Sequence, residues 1–439
     1  MKLRYHSIPR DVFDALAAGG GGPEAIRVLA AAEQSKHDTL LRGVVAAAEA
    51  GDAAQARYAS ISREVLTEVE RLDRDVAARV RGYPAVGAWA VNTLRALETD
   101  GGAPGAVPAR LTAVAAAAAV RSGLDAEVPV LSVDGVVSLP SLGAARVDAD
   151  SAVVRSRLGD VEVRWSGGRV EIPPGGDHDA PGWLGIRDFR AGDLAAVIDD
   201  LDPFRMPAEA GDLAPRLTAR QAREWQGVLQ QGWEVLATGH PAIAAEVAAT
   251  ISVIVPLSRS VYGHHSSSGP DTFGALAMSE PPDPETCACT LTHELQHVKL
   301  CAVLDIVRLT DPNHGGRFYY APWRDDPRPI AGLLQGAYAH VGVIEFWRRQ
   351  RLLTTGAAQS RADGQFALWR AGTGRAIETL LASDQLTTFG LDFVRGMAET
   401  AGSWMSEPVS AQAQAFALHE ARSHVARWEL RHGPVPRPA

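Results

Sequence analysis

A chain of 439 residues, 46% hydrophobic and 22% charged, is long enough for two or three domains with a sizeable buried core. Its net charge of −9, with no long basic run, excludes the electrostatic footprint of nucleic-acid or anionic-membrane binding, and no apolar run of about 18 residues offers a transmembrane helix. The cysteines, Cys287, Cys289 and Cys301, crowd one short stretch, which argues against a disulfide framework; with an N-terminus lacking an apolar h-region, this predicts a soluble cytoplasmic protein.

Residues 1–125 are Ala-rich and carry apolar side chains at helical spacing, which predicts helices over 23–50, 53–80 and 85–97. The run Gly19 to Gly22 follows no strand and lacks the Lys-Ser/Thr ending of a phosphate loop, so it reads as a helix break. Over 126–180 the period changes to two. Val130–Val133, Val136–Leu139, Ala152–Arg157, Val161–Trp165 and Val170–Ile172 are short β-rich runs separated by Asp134-Gly135, Leu158-Gly159-Asp160 and Ser166-Gly167-Gly168. They predict a small antiparallel sheet of hairpins, whose open edge either docks an extended peptide or acts as a spacer.

From 181 onward the helical period returns, with helices expected over 193–201, 218–236 and 242–255. A polar link, His264 to Pro270, leads to the apolar run Phe273–Ser279, expected as an edge strand lining a cleft. The predicted fold is thus α+β and mostly helical, with an N-terminal helical region (1–125), a small antiparallel β region (126–180) and a C-terminal helical domain (181–439), expected to be a zincin-like helical metal domain because it carries the HExxH motif His293 to His297.

The chemistry concentrates in His293-Glu294-Leu295-Gln296-His297, an HExxH motif. Residues four apart share a helix face, so the two imidazoles suit one metal ion, with Glu294 beside them. Asp283-Pro284-Glu285 supplies a cap, a first-turn Pro and an acid at the positive end of the helix. A third ligand is sought downstream among His314, His340 and Glu345. His340 is preferred, because Glu345 lies five residues on, about 140° around the next helix. His419 and His424 point to different sides of a helix and are assigned structural or surface roles, while His264 and His265 read as solvated loop residues. Arg324 and Arg328, in the aromatic and Pro-rich stretch Phe318–Ile330, can either bind a carboxylate bidentately or pair with Asp325 and Asp326.

HELQH stands with four further motifs: Tyr83-Pro84-Ala85-Val86-Gly87-Ala88-Trp89-Ala90, Asp199-Asp200-Leu201-Asp202-Pro203-Phe204, Trp323-Arg324-Asp325-Asp326-Pro327-Arg328-Pro329 and Gly332-Leu333-Leu334-Gln335-Gly336-Ala337-Tyr338-Ala339-His340. In this order, over about residues 10–430, they resemble the HExxH-motif proteins of modified-peptide biosynthesis. The resemblance implies a 2-oxoglutarate-dependent peptide β-hydroxylase acting on a ribosomally synthesised precursor peptide. It implies Fe(II) held by His293, His297 and His340, and 2-oxoglutarate held by Arg324 or Arg328. Glu294 is left as ligand, support for a ligand or water, or proton carrier. Zinc-dependent peptide hydrolysis with Glu294 as base is the alternative, and a catalytically inactive peptide-binding module a third.

Overall fold

The structure is a computed structural model that describes residues 5–99, 102–103, 105–207, 210–261, 263–312 and 316–435. The fold is α+β and mostly helical, with small sheets. Among the described residues no helix is long and apolar enough to cross a membrane.

The chain divides into two compact units. One comprises Met1–Ala30, Gln226–Thr250 and Pro281–Ala439, and the other Ala31–Trp225 and Ile251–Glu280. These bounds differ from the expected regions ending at 125 and 180, for a packing reason. Val128, Val130, Val154 and Val163 of the β region share one hydrophobic core with Trp89, Val114 and Ala117 of the preceding helices. Neither set buries its apolar face alone, so helices and strands close on each other as one body.

In that second unit the expected helix over 53–80 is two helices, Ala53–Leu72 and Arg74–Arg81. Asp73 ends the first and caps the second, its side chain accepting a hydrogen bond from the Val76 N–H at 2.9 Å. The β region forms as expected, in two pieces: an antiparallel four-stranded sheet in the order Ala126–Leu131, Ser151–Arg157, Asp160–Trp165, Gly168–Ile172, and a three-stranded sheet of Val136–Leu139, Gly143–Arg146 and Trp183–Gly185. Between Arg157 and Asp160 the chain turns on Leu158 and Gly159, with φ of 52° and 92°, the two positive angles of a tight hairpin turn.

Three expectations are corrected in this unit. Residues 193–201 are not a helix; Arg187–Ala191 and Leu194–Ile198 form an antiparallel hairpin, and Val197 and Ile198 pair with Val253 and Ile254. Their Ala and Leu content favours a helix, but Leu194, Ala196 and Ile198 are buried at period two, and pairing to a neighbour decides. The helix expected over 242–255 stops at Thr250, and Val253–Leu257 is the central strand of a mixed five-stranded sheet. Ala275–Ser279 lies inside that sheet, parallel to Val253–Leu257 and flanked by Ser266–Ser267, so it is not an edge strand. Five consecutive buried residues are the pattern of a strand covered on both faces.

Two of the motifs meet here and are structural. Tyr83 donates its hydroxyl to Asp199 at 2.6 Å, and the other oxygen of Asp199 accepts from the N–H groups of Leu201 and Asp202. Asp200 takes Arg187, Arg216 and the Leu217 N–H, while Asp202 takes Arg110. Each buried acid is therefore satisfied by its own donors, as burial of charge requires.

Gly87 has a second role. A Cβ there would stand 2.3 Å from Nε2 of buried His37, whose Nδ1–H donates to the Arg81 carbonyl. Protonating Nε2 would drive an N–H into an apolar wall, and burial holds the His37 pKa below its ordinary 6.5. In acid below that value the unfolded chain binds a proton the folded protein refuses, so stability falls as pH drops from 7 to 5. His37→Gln is expected to flatten this part of the curve. Urea midpoints at both pH values check it, and an equal drop in the variant would assign the acid sensitivity to other groups.

In the first unit, helix Arg10–Ala17 ends at the glycine run, as expected, and Gly19, Gly21 and Gly22 take φ of 90°, 118° and 63°. Gly19 must be small, since a Cβ would meet Val341 at 2.9 Å. The helices that carry the HExxH site, Pro284–Ile306 and Ile330–Leu353, belong to this unit, with Gly356–Leu381, Thr388–Met405 and Ala411–His432.

Candidate metal centre

The motif helix, Pro284–Ile306, begins as its sequence dictates. The Asp283 carboxylate accepts from the Thr286 N–H at 2.8 Å and from the Thr286 hydroxyl at 2.9 Å, with Pro284 in the first turn. Leu291, Leu295, Val298 and Ala302 are buried along it, fixing its rotation. Glu294 is 1% exposed and His293 and His297 are partly exposed, so the imidazoles reach toward solvent from a buried helix.

His293 and His297 bring their Nε2 atoms to 3.1 Å, with rings at 74°. Two nitrogens bound side by side to one cation at a bond length of about 2.1 Å lie roughly 3.0–3.4 Å apart, so the pair has the separation of a chelate. Its outer partners suit that role. The Nδ1–H of His297 donates to Gln335 Oε1 at 3.2 Å, which leaves the Nε2 lone pair facing His293, and Gln335 is oriented in turn by an Nε2 contact to Cys301 Sγ at 3.6 Å.

His340 stands beside them, its ring centroid 5.3 Å from that of His293 at 88°. Its Nδ1–H donates to the Gly336 carbonyl at 2.8 Å, fixing the tautomer with an unprotonated Nε2. Trp323 stacks on one face at 4.3 Å and 17°, and Trp369 tilts against it at 4.8 Å. Gly336 makes room for this, because a Cβ there would meet the Trp323 indole nitrogen at 2.3 Å. The Trp323-to-Pro329 and Gly332-to-His340 motifs therefore pack onto each other. Among the described residues no three imidazole, thiol or carboxylate groups are already gathered as a complete donor set. The preformed part is the His293–His297 pair, with His340 as the adjacent imidazole.

Burial pushes the His293 pKa down to about 4, helped by His297, and holds that of His340 well below its ordinary value, helped by His293. Both are neutral near pH 7, which is the state a metal ligand needs. The Cys287 and Cys289 thiols are pushed up to about 12 by burial and stay protonated, so neither offers a thiolate. Glu294 Oε1 lies 3.8 Å from His293 Nε2, close enough to act on a group held by the pair through one small molecule or proton.

The remaining candidates lie elsewhere. His314 falls outside the described residues. Burial raises the pKa of Glu345, whose charged neighbours are Lys299, Glu246, Arg348 and Arg349. His264 lies in the other unit, its Nδ1 3.1 Å from the Ser279 hydroxyl. Arg324 and Arg328 both bind Asp326, at 2.8 and 3.2 Å, while Asp325 is held by Arg431 at 2.6 Å. His424 accepts from the Tyr320 hydroxyl at 2.8 Å, a structural role that anchors the last helix to the segment before Trp323. In the sequence Gln335 stands only as one member of the Gly332-to-His340 motif and nothing marks Trp369; the i, i+5 spacing of Gln335 and His340 carries no signal until a neighbouring helix is in place. Comparison with protein-family models and with curated proteins finds no match in either.

Proposed function

We propose that the protein is an Fe(II)- and 2-oxoglutarate-dependent oxygenase that hydroxylates a β-carbon in a ribosomally made precursor peptide, working in the cytoplasm. The observation that carries this reading is the paired, partly exposed imidazoles of His293 and His297, with Nε2 atoms 3.1 Å apart and His340 alongside. All three rings are of the type that suits iron. Bound there, iron with 2-oxoglutarate and oxygen would supply hydrogen abstraction from the peptide and return of hydroxyl, with succinate and carbon dioxide as co-products.

The chain's own residues do the rest. Gln335 and the Gly336 carbonyl hold the tautomers that leave a nitrogen lone pair on His297 and His340. Trp323 and Trp369 wall His340 off from water, which strengthens electrostatic interactions in the site. Glu294, buried on the motif helix, holds or moves a proton beside His293. The resemblance of the four additional motifs favours the oxygenase, since two of them converge on His340. The position of Glu294 favours the second reading, zinc-dependent hydrolysis, in which its carboxylate is the base.

Incubating a precursor peptide encoded beside the gene with protein, Fe(II), ascorbate and 2-oxoglutarate in air is expected to add one oxygen, lost when 2-oxoglutarate is omitted. Two fragments summing to peptide plus water, formed with zinc under nitrogen, would replace this reading by the hydrolase.

A further inference from the structure

The segment Tyr320–Trp323 lies along one face of the helix Gly356–Leu381. Trp369 on that helix touches His340, whose other face carries Trp323. One turn on, Gly372 lies against Pro322, where an added Cβ would stand 3.1 Å from the proline ring. A further turn on, the Arg375 guanidinium lies over the Tyr320 ring, 4.8 Å from its centroid. Trp369, Gly372 and Arg375 are thus one stripe at spacing three, and they read the loop residues in reverse order.

Tyr320 is buried and cannot move freely. Its hydroxyl donates to His424, and the Trp428 ring meets its edge at 5.5 Å and 89°. A guanidinium stacked on a fixed ring is oriented without using its N–H groups, which radiate in the guanidinium plane. Among the described residues no carboxylate, carbonyl or hydroxyl accepts from Arg375 in the structure's hydrogen bonds or ion pairs. Arg324 and Arg328 differ, since both are committed to Asp326. Between Tyr320, under this free fork, and Trp323, on His340, lie two residues, a span of three Cα-to-Cα steps or at most about 10 Å.

We infer that Arg375, stacked on Tyr320, is the carboxylate-binding residue of the site and takes the distal carboxylate of 2-oxoglutarate as a bidentate pair. The assignment rests on the oxygenase reading and moves the anchor from Arg324 or Arg328 to the facing helix. The rigid stack aims the fork. A lysine, with a point charge and no plane to stack, replaces it poorly.

The test is calorimetric binding to the full-length protein loaded with Fe(II) without oxygen, with 2-oxoglutarate and with 2-oxobutyrate, which keeps the 2-oxo acid but lacks the distal carboxylate. R375Q is expected to weaken 2-oxoglutarate at least tenfold and leave 2-oxobutyrate within twofold, with R375K recovering only part of the loss. Thermal melts establish that the variants are folded. Undiminished 2-oxoglutarate binding by R375Q, an equal loss for both ligands, or a tenfold loss in R324Q or R328Q instead would each overturn the assignment. Failure of the unaltered protein to bind 2-oxoglutarate would overturn the oxygenase reading, and the assignment with it.

Discussion

Replacing His297 with alanine is expected to reduce bound metal from about one ion per chain to a trace, and to abolish turnover, while leaving the fold in place. The side chain is partly exposed and its contacts are polar: Nε2 against His293 and Nδ1–H on Gln335. Alanine is the best helix former, and Leu295 and Val298 on either side stay buried, so the motif helix survives. What is lost is one nitrogen of a pair already at chelating distance. Removal of an outer partner such as Gln335 is expected to cost about 10–100-fold in metal affinity, and loss of the ligand itself more. Metal content after anaerobic loading, read alongside a thermal melt, checks this. Full metal content in a folded His297→Ala protein would place the ion elsewhere and remove the basis of both the oxygenase and the hydrolase readings.

The parts of this site that could be read from sequence are those whose cause is local. Asp283-Pro284-Glu285 starts the motif helix because a cap, a fixed φ and a dipole interaction all act within one turn. The hairpins of residues 151–172 follow from period-two burial and from Leu158-Gly159 turning between them. Where the cause is distant, the sequence misleads. Leu194–Ile198 has the composition of a helix and is a strand because Val253 and Ile254 offer it hydrogen bonds. Val253–Leu257 is apolar throughout, a pattern that buried helix and buried strand share.

The same distinction runs through the site residues. His293 and His297 are legible because four-residue spacing on a helix sets their distance. His340 can be picked from the sequence as the preferred third ligand, but its setting cannot. Its tautomer depends on the Gly336 carbonyl, and its walls come from Trp323 and Trp369, which lie 17 residues before it and 29 after. The acids of Asp199 to Asp202 look like a metal or catalytic cluster to a reader of composition. The fold assigns each a donor, Tyr83, Arg187, Arg216 or Arg110, and makes them a structural knot.

Lys299→Ala is expected to destabilise the protein by about 3–5 kcal/mol, the cost of leaving a buried charge without its partner. Lys299 is fully buried on the motif helix two residues beyond His297, and its ammonium donates to Glu246 at 2.7 Å and to the carbonyls of Gly19 and Gly20 at 2.8 and 3.1 Å. Burial lowers its pKa, and Glu246 opposes that shift. Gln296 also donates to the Gly19 carbonyl, and Tyr338 donates to that of Leu16. The end of the first helix is thus clamped by side chains from both site-bearing helices. Without Lys299, Glu246 keeps only the Gly22 N–H as a donor among the described residues, and its neighbour Glu345 adds repulsion. The double variant Lys299→Met with Glu246→Gln removes both charges, keeps an oxygen for Gly22, and should recover more than half of the loss. Urea midpoints for the single and double variants measure the cycle. If the double variant were as unstable as Lys299→Ala, the clamp on the glycine carbonyls, and not the stranded charge of Glu246, would be what holds the first helix to the motif helix.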